Sequence, residues 1–292
     1  MNEKRKKILI IGGGSLLGSA LAKVFTISPN TEVIFTYCNQ PFDRAIFLDI
    51  TNVNQCQRSI SQLDPNCVIL VAARTDVDYC ELNQNDSFRT NVEGVHNVVK
   101  ACSGRKLVYF STDSIFDGAK GNYRENDLAN PINYYSKTKF CGELATQSLD
   151  DHLILRICML YSHTIDYPKF INWLIRSLSK KTMVSVATDL YSTPTFIDDI
   201  AKATFELVQN NLRGIFHVAG ASSHSCYEMA GLISSIYGFD KQLITPVTAK
   251  ELKRTALRPK YSTLNIQKLN DQGISMNNFQ DGMSLIRNRI TI

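Results

Sequence analysis

The chain has 292 residues, enough for one large domain or a domain and a half with a substantial buried core. Apolar residues make up 44% and charged residues 20%, as in a globular protein, and the apolar runs "ILIIGGG" and "CVILVAA" are far too short to span a membrane. The net charge of +5 is mild, and no basic stripe interleaved with aromatics accompanies it, so neither nucleic acid nor membrane is expected as a partner.

The N-terminal "EKRKK" reads as a solvated lead-in to a first strand. Only four apolar residues follow it before three glycines, too few for a signal-peptide core, and a cytoplasmic protein is expected. Residues 7–11 read as a short buried strand, and 16–25 carry apolar residues at helical spacing. Segments 33–37 and 45–48 read as strands, with 68–71 and 107–110 as further apolar runs. Helix-like patterns fall between them at 53–63, at 86–101 and, after Pro131, at 134–147. Continuous apolar strands alternating with helices predict an α/β fold, a doubly wound parallel sheet covered on both faces. A glycine turn after the first strand specifies the Rossmann-type dinucleotide-binding version.

Past residue 155 the rhythm changes: 169–178 and 197–208 look helical, 214–218 is a strand, 226–237 a helix, and the tail is polar and irregular. The expected organisation is a dinucleotide-binding core over 1–155 and a small C-terminal substrate lobe over 156–292, some of whose segments return to the core. The eight cysteines are scattered, with no C-x-x-C and no histidine at metal-ligand spacing, and read as reduced thiols, mostly small core residues.

Three motifs carry chemistry. In "ILIIGGGSLLGSAL", Gly12 makes the tight turn and Gly18 lets the helix approach the strand. The helix N-terminus then offers N–H groups and partial positive charge to a pyrophosphate. NAD-specific sites place an acidic residue at the end of the second strand to hold the ribose 2′-OH. Here Tyr37-Cys38-Asn39 offers none and no adjacent arginine, which leans toward NADPH, with NADH or dual use as the alternative. Asp49-Ile50 is placed either to meet the adenine edge or to cap the next helix.

"INYYSKTKFCGE" holds two tyrosines and two lysines within six residues of a helix start. At about 100° per residue, Tyr135 and Lys139 lie within roughly 40° of each other, whereas Tyr135 and Lys137 point apart. Tyr134 and Lys137 are also neighbours, so spacing alone leaves two pairs open. A phenol protonates a developing alkoxide only if its pKa falls from about 10, and a cation one turn away favours that. "LVYFSTD" supplies hydroxyls at a strand end, Ser111 and Thr112, to orient a carbonyl.

Together these residues resemble the extended short-chain dehydrogenase/reductase superfamily, and within it the dTDP-4-dehydrorhamnose reductase family, over nearly the whole chain. "STDSIFDG", "PINYYSKTKFCGE" and "VAARTDVDYCE" are similar to that family's motifs, and "STPTFIDDIA" and "LRPKYSTLN" set it apart from nucleotide-sugar epimerases. The resemblance implies Thr112, Tyr135 and Lys139 as the catalytic trio. It implies cofactor contacts from Gly12, Gly14, Ser15, Leu16, Leu17 and Gly18, from Asp49 and Ile50, from Ala72, Ala73, Arg74 and Thr75, and from Phe110, Tyr135 and Lys139. Thr112, Asp113, Met159 and Arg258 would meet the substrate, Tyr134 would pack at the rim, and Lys137 would be solvated.

The chain departs from the pattern at four positions. Ser15 replaces the middle glycine of the turn, and Val71 replaces an asparagine. Met159 stands where an aromatic residue often faces the sugar. Ala20 replaces the acidic residue some members use for magnesium, so no metal is expected. Asn91 reads as a structural helix-start residue, Trp173 and Phe170 as core, and no histidine receives a role. The implied activity is NAD(P)H-dependent reduction of a nucleotide-linked 4-keto-6-deoxy sugar, with a homodimer left open. The chain also resembles the NADP-binding regulatory β subunit of methionine adenosyltransferase, and an epimerase is a third reading, weakened by the missing acidic residue.

Overall fold

The structure is a computed structural model in which residues 5–164 and 166–288 are described; Glu3 and Lys4 of the basic lead-in lie outside them. Seven strands form the main sheet: β1 (Lys6–Ile11), β2 (Thr31–Tyr37), β3 (Ile46–Phe47), β4 (Cys67–Leu70), β5 (Lys106–Thr112), β6 (His152–Ile157) and β7 (Gly214–Val218). Their order is β7-β6-β5-β4-β1-β2-β3. β1 pairs in parallel with both β2 and β4, β2 with β3, and β4 with β5. The order reverses at β1, which makes the C-terminal ends of β1 and β4 the switch point where such sheets bind ligands. This is the doubly wound sheet that the alternating sequence predicts.

Up to residue 146 the helices are α1 (Leu16–Thr26), α2 (Val53–Leu63), α3 (Val77–Leu82), α4 (Gln84–Phe88), α5 (Gly94–Ala101) and α6 (Tyr134–Thr146). β4 and β5 are buried at every position, which is why they read as unbroken apolar runs. Leu9, Ile11, Val68, Leu70 and Leu107 pack with Val95 and Val98 of α5 in one cluster. Each such side chain contributes on the order of 1.5–3 kcal/mol when fully withdrawn from water.

The single helix expected over 86–101 is instead α4, a π-helical turn at Arg89–Glu93, and α5, with the short α3 ahead of them. Gly94 follows the π turn and lies so close to Ile50 that a Cβ there would come within 2.8 Å of its side chain. Periodicity registers the apolar face of such a segment but not a one-residue widening of its turn. β6 escaped the sequence reading because Arg156 interrupts its apolar run.

Two compact units emerge, Met1–Thr112 with Asn133–Arg156 and Thr204–Phe216, and Asp113–Ile132 with Ile157–Ala203 and His217–Ile292. The segment 113–132, inside the stretch expected as the dinucleotide core, therefore belongs to the second unit. That unit has its own core, in which the Tyr161 ring lies 5.7 Å from Phe196 and 5.5 Å from Phe279. Phe279 opens a helix, Phe279–Arg287, capped by Asn278 in the tail expected to be irregular. All eight cysteines are free, and six are buried. No described helix is long and apolar enough to cross a membrane.

Candidate active site

The glycine turn is built as a cradle. Gly12 has φ +91°, and a Cβ there would come within 2.9 Å of the Ala72 nitrogen. A Cβ on Gly18 would collide with the backbone of Gly12 and Gly13, so α1 approaches β1 only because position 18 is glycine. Ser15, the residue in place of the middle glycine, is the N-cap of α1: its hydroxyl accepts from the Gly18 N–H at 3.0 Å and donates to the Gly12 carbonyl at 2.8 Å. Its backbone is extended, with φ −74°, so the side chain strains nothing. The N–H groups of Leu16 and Leu17 open the helix behind it, the positive end that attracts a pyrophosphate. The residues present thus fit a dinucleotide.

The remaining cofactor candidates are engaged in different ways. Asp49 accepts from the backbone N–H and hydroxyl of Thr51 at 2.9 and 2.8 Å, while the cap of α2 is Asn52, not Asp49. Ile50 and Phe110 are core side chains, each 4% exposed. The Ile50 carbonyl accepts from Asn97. Ala72 and Ala73 follow β4 half-buried, and Thr75 is exposed. The Arg74 guanidinium is paired with Asp86 at 2.8 Å and lies 6.0 Å from the Tyr79 ring centre.

α6 begins where Asn133 accepts from the Ser136 N–H at 2.9 Å and from its hydroxyl at 2.8 Å. Tyr135 and Lys139 follow one turn apart, and Lys137 is exposed. Lys139 is 4% exposed, with its Nζ 4.2 Å from the centre of the Tyr109 ring on β5. Burial pulls its pKa down to about 7, opposed by the charge of Glu143 and by Cys80. Glu143, one turn further along, is fully buried and takes a two-point bond from Arg156 of β6, at 3.0 and 2.8 Å. Gly142 allows the helix to lie this close, since a Cβ there would overlap the Tyr109 hydroxyl.

β5 ends on Ser111 and Thr112, both buried. Asn91 does not start a helix as expected. It lies buried inside the π turn, accepts from the Arg74 N–H at 2.8 Å, and donates to the Arg74 carbonyl and the Thr138 hydroxyl, each at 3.0 Å. It thereby ties the loop after β4 to α6.

In the second unit Asp113 is 7% exposed, and the Cys158 thiol donates to its Oδ2 at 3.1 Å. Cys158 Sγ also lies 2.9 Å from the Ser192 hydroxyl. Burial and the Asp113 charge push the thiol pKa well up, so it remains a donor. Met159 follows with φ +33° and packs partly on the core of this unit. Arg258 is half-buried and donates to the Ala256 carbonyl at 2.8 Å. Trp173, expected in the core, is 39% exposed. With Phe170 it lines a cavity of about 630 Å³ that also meets Lys169, Arg176 and Arg254.

Sequence reasoning missed Glu143, Arg156, Cys158 and Phe42. The last sits on the loop after β2, with its ring close enough to Gly13 and Gly14 to meet a Cβ on either at 3.1–3.3 Å. Its partners are distant in sequence, and no local spacing announces them.

A doubly wound sheet, a glycine cradle at its switch point and a Tyr-x-x-x-Lys helix define a nucleotide-binding fold of the reductase type. The chain belongs to the RmlD substrate binding domain family, whose model matches residues 6–291. Among its relatives is the Haloferax volcanii protein named "Probable low-salt glycan biosynthesis reductase Agl14", 30% identical over 95% of this chain and 96% of that one. Bovine methionine adenosyltransferase 2 subunit beta is 28% identical over 94% of this chain and 84% of its own length. The crystal structure of dTDP-4-dehydrorhamnose reductase from Bacillus anthracis in complex with NADP superposes with a TM-score of 0.88 at 29% identity, covering 98% of this chain and all of that one.

Proposed function

We propose that the chain is an NADPH-dependent reductase of a nucleotide-linked 4-keto-6-deoxy sugar, of the dTDP-4-dehydrorhamnose reductase kind. The observation that carries this reading is Lys139, an amine withdrawn from water one helical turn from Tyr135, on a helix packed against the strand that ends in Thr112. A bound NADPH supplies a hydride to the C4 carbonyl. Thr112 holds the carbonyl oxygen, and Tyr135 delivers a proton to it as negative charge develops. Lys139 lowers the cost of the phenolate left behind, and the Ser15-capped turn holds the pyrophosphate. Taken by itself, the aromatic and cationic cavity of the second unit has the chemistry to hold a nucleotide, with Trp173 as a platform for the base and Arg176, Lys169 and Arg254 for the phosphates.

The test is to mix the purified chain with NADPH and a panel of nucleotide 4-keto-6-deoxy sugars and follow nicotinamide absorbance. Turnover of one of them, lost in Tyr135→Phe, supports the reading; near-normal activity in that variant refutes the assignment. The likeness to the methionine adenosyltransferase subunit favours a second reading as an NADP-binding regulatory partner. Absence of hydride transfer to every keto-sugar, together with co-purification with a synthetase, would select it.

A further inference from the structure

We propose that Glu143, clamped by Arg156, is a positioning residue that makes Lys139 hold its proton more tightly beside Tyr135. The inference rests on the reading of Tyr135 and Lys139 as the working pair. Positions 135, 139 and 143 follow at successive turns of α6, each offset by about 40° from the last, so they form one ladder on the helix. The two lower rungs are withdrawn from water, Lys139 at 4% exposure and Glu143 at 0%.

An amine buried in this way gives up its proton unless a negative charge is held nearby. The groups acting on Lys139 come from three elements. Glu143 is on α6 itself, Cys80 comes from α3, and the Tyr109 ring comes from β5. Cys80 has its own pKa raised, mainly by burial, and carries little charge near neutrality. The Tyr109 phenol is likewise raised well above its ordinary value by burial and stays neutral. Of these groups Glu143 alone supplies negative charge.

The Arg156 guanidinium fixes the Glu143 carboxylate in place with two charge-assisted bonds, Nε to Oε1 at 3.0 Å and Nη2 to Oε2 at 2.8 Å. Arg156 sits on β6, across from the ladder, and is 4% exposed on its side chain. The sequence of effects runs from Arg156 to Glu143 to Lys139 and so to the phenol. A purely structural clasp between α6 and β6 would need the same ion pair but would leave the titration of Lys139 untouched.

The experiment is the pH profile of kcat for the full chain with NADPH and dTDP-4-dehydrorhamnose. In Glu143→Gln the fall of activity on the alkaline side is expected about one pH unit earlier than in the unmodified protein, because Lys139 loses its proton sooner. That variant removes the negative charge facing a buried guanidinium and can fail to fold, so Glu143→Leu/Arg156→Met, which removes both charges at similar volume, is measured beside it. The same shift in the double variant supports the proposal. A folded double variant whose alkaline limb coincides with that of the unmodified protein overturns it. Lys139→Met separates the two levels: if it is inactive while the Glu143 variants keep the original limb, only this inference falls. If Lys139→Met turns over normally, the reading of the pair falls and takes the inference with it.

Discussion

The Lys139 Nζ sits 4.2 Å from the centre of the Tyr109 ring, and the Tyr109 hydroxyl donates to the Lys139 carbonyl at 3.2 Å. One aromatic side chain thus holds both the backbone and the charge of the same lysine. The ring face attracts a cation, but it does not replace lost water, and the pKa of Lys139 falls from 10.5 to about 7.

That fall makes stability depend on pH in a defined window. Below about pH 7 the lysine is protonated in both folded and unfolded chains, and the cost of burying its charge is fully present. Between about 7 and 10.5 the unfolded chain binds more protons than the folded one, so stability rises with pH. The slope is at most about 1.4 kcal/mol per pH unit for one proton. Lys139→Met has no such group and loses this contribution. Urea unfolding of the nucleotide-free protein and the variant from pH 7 to about pH 10 measures the difference between them. A difference that stays flat would mean that the buried amine titrates at its ordinary pKa.

Gly142 is required by the Tyr109 hydroxyl, not by backbone conformation. Gly142→Ala places a methyl group where that oxygen lies. Overpacking of this kind costs typically about 1–3 kcal/mol, outweighing the fraction of a kcal/mol that alanine gains in a helix. Tyr109→Phe removes the oxygen and should recover part of the loss when the two changes are combined. Thermal unfolding of the two single variants and the double variant tests this. Strict additivity would mean that the two positions do not meet.

Cys158 acts on Asp113 through a single hydrogen bond from a thiol kept protonated by burial. Cys158→Ser preserves a donor and should leave the Michaelis constant for the sugar within about twofold. Cys158→Ala removes it and should raise that constant by roughly tenfold, about the worth of one hydrogen bond to a charged group, with kcat less affected. Equal kinetics for the serine and alanine variants would show that the thiol does not hold Asp113 for the substrate.

These cases show which parts of the molecule the sequence makes legible. β1, α1, α2, β7 and the start of α6 are local: apolar spacing and capping residues lie within a few positions of one another, and their ends were placed within a residue or two. The Tyr-x-x-x-Lys helix and the Ser-Thr strand end were legible for the same reason. The π turn at Arg89–Glu93 was not, because what occupies it is the bond of Asn91 to Arg74 and Thr138, 17 and 47 positions away. Glu143 carried no signal in the sequence, because its partner Arg156 lies 13 positions away on another element. Ser15 looked like a departure from a glycine pattern, and its part as the cap of α1 becomes plain only with the Gly18 N–H in place.

Trp173 was the reverse case, an aromatic residue assigned to the core that stands 39% exposed beside Phe170, with ring centres 6.1 Å apart. Its neighbours in the cavity include Lys169, Arg176 and Arg254, and that mixture suits a base and its phosphates better than it suits a packed interior. Removing a stacked aromatic platform costs about 1–3 kcal/mol of base binding. Trp173→Ala should therefore raise the Michaelis constant for the nucleotide sugar by about 5- to 150-fold while kcat and NADPH affinity change little. Binding of dTDP alone, followed by calorimetry, should weaken by the same factor if Trp173 serves as the proposed platform for the base. Unchanged dTDP affinity in a folded Trp173→Ala protein would show that this cavity does not hold the nucleotide.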